Sequence, residues 1–233
     1  MQINKNHNMA KAKISEKEEL RQENLEQTIS KTDKFFNENK KTLWSVFIAV
    51  VLVAGLTLAY VKFIYQPKLA EAQAQAFSAE ASFCEGNFEL ALNGDGNNLG
   101  FVQIIEEYGS KAGKAVYLYA GICELQLGQY ESAISYLKKY NGKDELLSAR
   151  ALACQGDALV GLQKYGEAAS MFEKAASEAD NVFAAQYLVK AGLAYEKLGN
   201  KASALKCFET VEDKYPQSIE AYEIQKHIVR VSE

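Results

Sequence analysis

Proline is almost missing from this chain: Pro67 and Pro216 are its only two in 233 residues. An interior proline removes a backbone hydrogen bond and kinks a helix, so its scarcity leaves room for long helices. Runs of β-branched residues are few outside one apolar stretch, which argues against a sheet. Histidine is as scarce, with only His7 and His227. Neither belongs to a nucleophile–base pair or a ligand set, so both read as solvated side chains. The four cysteines, Cys84, Cys123, Cys154 and Cys207, include no close pair. This excludes the short spacings of zinc sites. Each falls in a segment expected to be helical, where a thiol reads as a small buried apolar group. An oxidising compartment would permit disulfides without dictating which. No phosphate loop or cofactor motif is present, so the chain is expected to be non-enzymatic, with no cofactor, metal or small-molecule substrate. Positive charge is thin in residues 66–233, with 16 Lys and Arg against 23 Asp and Glu, a net −7. Phosphate backbones need clustered positive charge, so a nucleic-acid partner is not expected.

Against these absences stands one long hydrophobic run. Residues 43–61 carry no charge, and Ser45 and Thr57 are their only polar members. Nineteen residues at 1.5 Å each come close to a hydrocarbon core of ~30 Å. Both hydroxyls are expected to bond back to helical carbonyls, which lets them sit in lipid. Trp44 and Tyr60 stand near the two ends, where amphipathic rings favour the headgroup layer. Snorkelling by Lys62 extends the span to residue 65. Lys31, Lys34, Lys40 and Lys41 precede it; only Lys62 and Lys68 follow closely. The positive-inside rule then puts the N-terminus in the cytoplasm and residues from 67 onward across the membrane. A cleaved signal peptide is the rival reading, on the triplets Ala70-Glu71-Ala72 and Ala72-Gln73-Ala74. The long region before the run and the length of the run favour an uncleaved signal anchor. The expected division is a charged, partly helical arm (1–42), a transmembrane anchor (43–65) and an irregular first helical unit (66–109). Three regular repeats (110–217) and a C-terminal capping helix (218–233) complete it. In the arm, Ser15 and Glu18 fit a capping box, followed by a loose apolar stripe at Leu20, Leu25, Ile29 and Phe36. Pro67 is expected to break the membrane helix and begin a new, Ala-rich one that ends at Gly86.

From residue 110 the chain repeats itself. Gly121, Gly156 and Gly192 are 35 and 36 residues apart, as are Ala133, Ala168 and Ala204. Phe172 and Phe208 follow the second and third alanines, with Leu137 in the first copy, and Pro216 closes the third. A helix–turn–helix unit of ~34 residues with small residues at the crossing is the tetratricopeptide signature. The fold is therefore expected to be all-α, a transmembrane helix followed by a tetratricopeptide α-solenoid. The small residues mark close helix approach, so Gly156→Leu is expected to overpack the crossing. A weaker copy precedes them: Phe88 and Ala91 lie 42 residues before Tyr130 and Ala133, one repeat plus the loop 93–98. That loop (Asn-Gly-Asp-Gly-Asn-Asn) lacks the spaced acids and closing Glu of a calcium site. Gly94→Ala is expected to matter less than Gly156→Leu unless the backbone needs a positive φ.

The span at 43–61, the stretch 87–96 (Asn-Phe-Glu-Leu-Ala-Leu-Asn-Gly-Asp-Gly) and Tyr119-Ala120-Gly121-Ile122-Cys123 resemble the YfgM-like family of ancillary SecYEG translocon subunits. The resemblance runs from about residue 24 onward. It implies a single-pass bacterial inner-membrane protein with a periplasmic domain, partnered by the Sec translocon and periplasmic folding factors. The Gly-Asp-Gly insertion departs from that pattern.

The first helices of such units line a concave face. Counted from the aligned glycines, that face holds Leu118, Ile122 and Leu125, then Arg150 and Asp157, then Val189, Leu193 and Glu196. Leu118, Ile122 and Leu193 form the expected apolar floor of a partner groove, with Arg150 and Asp157 at its rim. The other reading of the same residues is a seat for the C-terminal helix, whose Ala221, Ile224, Ile228 and Val231 face the stack. Two functions follow: a scaffold that recruits a partner near the site of export, or a holdase-type envelope-assembly factor binding exported clients.

Overall fold

The apolar run forms a helix because nothing in it competes with helical bonding. In the computed structural model, which describes Lys34, Phe36 and residues 38–233 (Ser110 by its backbone only), α1 spans Lys40–Tyr60. The capping box at Ser15 and Glu18 and the stripe at Leu20, Leu25 and Ile29 lie outside the described residues. Ser45 Oγ donates to the Thr42 carbonyl at 2.8 Å and Thr57 Oγ1 to the Val53 carbonyl at 2.7 Å. No residue of α1 is buried by protein, and its large apolar side chains stand exposed all round. A helix this long and apolar is suited to cross a membrane.

Pro67 does not end the helix. A π-helical turn, Val61–Tyr65, leads directly into α2, Gln66–Cys84. The ring of Pro67 would crowd the carbonyl of Phe63 four residues back, and the widened turn falls on that residue. The chain divides into two compact units, residues 1–64 and 65–233.

The second unit is built from helix hairpins. After α2 come α3 (Phe88–Asn93) and α4 (Phe101–Tyr108), then a 3-10 turn, Gly109–Ala112. The regular pairs are α5 (Ala115–Gln126) with α6 (Tyr130–Lys139), α7 (Glu145–Gly161) with α8 (Tyr165–Glu178), and α9 (Val182–Lys197) with α10 (Lys201–Lys214). A 3-10 turn, Glu220–Glu223, leads into α11, Ile224–Ser232.

One hydrogen-bonded turn recurs four times. Gly86 N–H donates to Phe83 and Asn87 N–H to Ser82; the same pair joins Gly128 to Leu125 and Gln129 to Glu124. It returns as Gln163 to Val160 with Lys164 to Leu159, and as Gly199 to Glu196 with Asn200 to Tyr195. These bonds satisfy the last carbonyls of each first helix. The turn needs a positive φ, and three units supply glycine, at 80°, 75° and 78°. Gln163 takes the same conformation at φ 59°. The irregular pair α2–α3 is thus a helix hairpin of the same kind, with its second helix interrupted by the 93–100 loop.

The core is built from alanine, which lets helices close together. Ala91, Ala133, Ala168 and Ala204, equivalent in the four units, are fully buried. A Cβ on Gly121 would stand 2.6 Å from Leu137, on Gly156 2.6 Å from Phe172, and on Gly192 2.3 Å from Phe208. Each glycine is the flat seat for the large side chain sixteen residues later. The irregular first hairpin meets α5 in an aromatic cluster, with Phe83 against Phe88, Phe101 and Tyr119 at ring separations of 5.8, 6.2 and 5.0 Å. At the far end, Ser218 Oγ accepts from the Ala221 N–H, and Ile224 and Val231 are buried with Phe208 and Val211.

Two glycines carry the 93–100 loop. Gly94 has φ 70°, and a Cβ there would stand 2.3 Å from the Asn98 carbonyl oxygen. A Cβ on Gly100 would stand 2.4 Å from Gly94 N and the Leu92 oxygen. Asp95 closes the loop by accepting from the Asn97 and Asn98 N–H groups at 2.9 and 2.7 Å. Those bonds, that to the Asn98 N–H foremost, hold its carboxyl below the usual range. Gly94 is therefore a demanding position, because its backbone has the positive φ on which the sequence expectation turned.

Candidate functional site

Three helices meet at the inner side of the last units. α7, α9 and α11 are held by ion pairs between residues about one repeat apart. Lys190 Nζ lies 2.8 and 2.9 Å from the two Asp157 oxygens, and Arg230 Nη2 lies 2.7 Å from Glu196 Oε2. Lys190 also sits 5.6 Å over the Phe172 ring. α11 thus continues the row of first helices, at the place a further unit would occupy. Between these helices lies a cleft of about 720 Å³, floored by Val160, Phe172, Leu193 and Ala194 and edged by the two ion pairs and Lys197. Leu193 is 37% exposed within it. Asp157, Lys190, Glu196 and Arg230 at its edge are matched in pairs, so its open capacity beside Lys197 is for apolar surface.

Of the sequence-derived groove residues, Asp157, Leu193 and Glu196 come together here. Leu118 and Ile122 do not form an open floor: they are 1% and 9% exposed, packed with Ala151, Cys154 and Ala158 of α7. Small side chains on α7 let it close over α5, which fills the space that phase alone left open. Leu125 is half-buried against the same cluster. Val189 is half-buried beside the core that α11 completes. Arg150 is exposed and is not among the residues lining the cleft. Sequence reasoning missed Lys190 and Arg230, although each follows an acid by 33 or 34 residues. Opposite charges one repeat apart on first helices were the available signal.

His227 is not a freely solvated side chain. Its ring lies 5.1 Å from that of Phe208, and its Nδ1 is 2.9 Å from Arg230 Nη2. Burial lowers its pKa, and Arg230 and Lys226 lower it further. Cys84 is exposed at the end of α2, whereas Cys123, Cys154 and Cys207 are buried, and all four are free thiols. Burial pushes Cys123 and Cys207 up to about 12 and raises Cys154. These thiols stay protonated at neutral pH, a poor state for nucleophilic chemistry.

Two tetratricopeptide repeat families match this chain, one over residues 115–143 and one over residues 155–219. No curated protein matches it. The chain carries tetratricopeptide repeats, a scaffold for protein–protein interaction. The matches cover α5–α6 and most of the region from α7 to the turn before α11, and so include most of the cleft.

Proposed function

We propose that this chain is a non-enzymatic membrane-anchored scaffold whose cleft holds an apolar, helical segment of a partner protein. The observation that carries this reading is the exposed apolar floor at Val160 and Leu193, framed by the Asp157–Lys190 and Glu196–Arg230 pairs. A partner side chain buried there is worth about 1.5–3 kcal/mol. The excess of lysines before the span supports a cytoplasmic N-terminus and a periplasmic repeat domain on the bacterial inner membrane. The resemblance to YfgM-like proteins supports the Sec translocon and periplasmic folding factors as the partners.

The test is co-purification from mild detergent with Leu193→Asp beside the parent chain. The parent is expected to bring down a translocon component or a folding factor in stoichiometric amount, and the variant to lose it with an unchanged melting temperature. Undiminished capture by the variant would move the site off the cleft. A mixture of unfolded exported clients would instead favour the holdase reading. Protease added to spheroplasts is expected to digest residues 66–233; their protection would reverse the orientation.

A further inference from the structure

The edge of the second unit where its first helices begin carries unpartnered apolar side chains in register. Leu146 and Leu147 lie in the first turn of α7, Val182 and Phe183 open α9, Ile219 precedes the 3-10 turn into α11 and Tyr222 lies within it. Their exposures run from 37% at Leu147 to 83% at Ile219 and Tyr222. The spacing is regular: Leu147, Phe183 and Ile219 succeed one another at 36 residues. Each pair lies within four residues after a capping side chain. Asp144 accepts from the Leu147 N–H, Asn181 from the Phe183 N–H and Ser218 from the Ala221 N–H. The caps explain why the helices start there. They give no reason for large apolar residues in the first turn, which a hydrophobic staple would place before the cap and at its fourth residue.

The same edge is where the chain enters the unit. Each hairpin turn reverses the chain, so the first helices all run the same way and their N-termini share one edge. Leu146 lies 17 residues before Gln163 of its turn, and Val182 lies 17 before Gly199. The residue 17 before Gly86 is Leu69, on α2. It follows by four residues Tyr65, where the π-helical turn of the apolar helix ends. That is about one helical turn, or ~5.4 Å. The apolar edge and the end of the candidate span therefore fall at the same level of the unit. Charges beside the edge are mixed, with Lys143 next to Asp144 and Glu145, and Lys226 paired with Glu223. No single-sign field selects a charged partner.

We infer that this edge rests in the headgroup layer of the phospholipid bilayer that holds α1, an inference that depends on α1 being inserted. Leu, Phe, Ile and Tyr are the side chains that such a layer accepts from a surface-lying segment. A unit tethered at Tyr65 meets that surface at high effective concentration, so modest apolar contacts suffice.

Trp44 is the only tryptophan, which makes the full chain its own reporter. The chain is reconstituted into vesicles of brominated or ordinary phosphatidylcholine, and tryptophan emission is compared. Quenching of Trp44 in the parent establishes that α1 is inserted; its absence would remove the premise and leave cleft binding to be judged by co-purification. With insertion established, two variants on a Trp44→Phe background, Phe183→Trp and Ile219→Trp, are expected to lose intensity in brominated lipid. Leu198→Trp, at an exposed position on the opposite edge, is expected to keep it. Equal quenching at all three positions, or none at 183 and 219, overturns the inference. So does protection of 183 and 219 from both lipid bromine and aqueous iodide, which would mean that a second copy or another protein covers the edge.

Discussion

Ile122 and Leu193 hold the same position on the first helices of two units, one residue after Gly121 and Gly192. One is buried and the other lines a cleft. The difference lies in what the next first helix presents. Opposite Ile122 stand Ala151, Cys154 and Ala158, small enough for α7 to close in. Next to α9 comes α11, which meets it at the Glu196–Arg230 pair and leaves the floor near Leu193 open. Asp157, the equivalent residue between them, spends its position on an ion pair. Position in the repeat fixes the direction of a side chain; the bulk and charge of the neighbour decide whether partners reach it.

The largest effect should come from putting a charge at the two ends of this comparison. Ile122→Asp buries a carboxylate with no partner and should cost more than about 3 kcal/mol, on the order of 10 °C in melting temperature. Leu193→Asp should stay within about 0.5 kcal/mol of the parent. Equal melting temperatures for the two variants would erase the distinction.

Gly94→Ala should rank next, at roughly 2–3 kcal/mol, because φ 70° and a backbone oxygen 2.3 Å away both oppose a Cβ. Gly96→Ala, at φ 86° with open space around it, should cost only about 1 kcal/mol. Denaturant midpoints of the pair separate steric from conformational strain.

Gln163→Gly should stabilise the chain by about 0.5–1 kcal/mol, since a non-glycine residue pays for its left-handed φ of 59°. Glycine already stands at the three equivalent turns. A lowered midpoint would mean that the Gln163 side chain contributes something beyond its backbone.

The smallest effect concerns α11. Folding depresses the pKa of His227, so the unfolded chain binds its proton more readily. Stability should therefore rise with pH from the folded pKa up to the ordinary value near 6.5, and level off above it. His227→Gln should flatten that part of the profile; an unchanged slope would assign it to another group.

The repeat phase was legible because close helix crossings leave a spaced record of Gly and Ala, and the long apolar helix because nineteen of its residues carry no charge. The hairpin nature of residues 66–93 was half-hidden, since the loop insertion stretches its spacing to 42 residues. Whether the inner face is open was not legible at Leu118 and Ile122, because burial there depends on residues of a different helix. Pro67 misled for a related reason. Its local preference is to stop a helix, but a π turn one step earlier absorbs the ring. The exposed edge at Leu146, Phe183 and Ile219 left a period in the sequence too, outside the residues that define the repeat.

The alanine-seated hairpins have a consequence for how the chain folds. Each unit rests almost wholly on its immediate neighbours along the chain, with α7 on α8, α8 on α9, α9 on α10 and α5 on α6 as the most extensive pairings. Among the described residues of the second unit, each helix finds its main partner close by in the sequence. Each hairpin can therefore form and dock with only its neighbours in place, wherever along the chain folding begins. α11 then covers Phe208 and Val211 of the last pair with Ile224 and Val231.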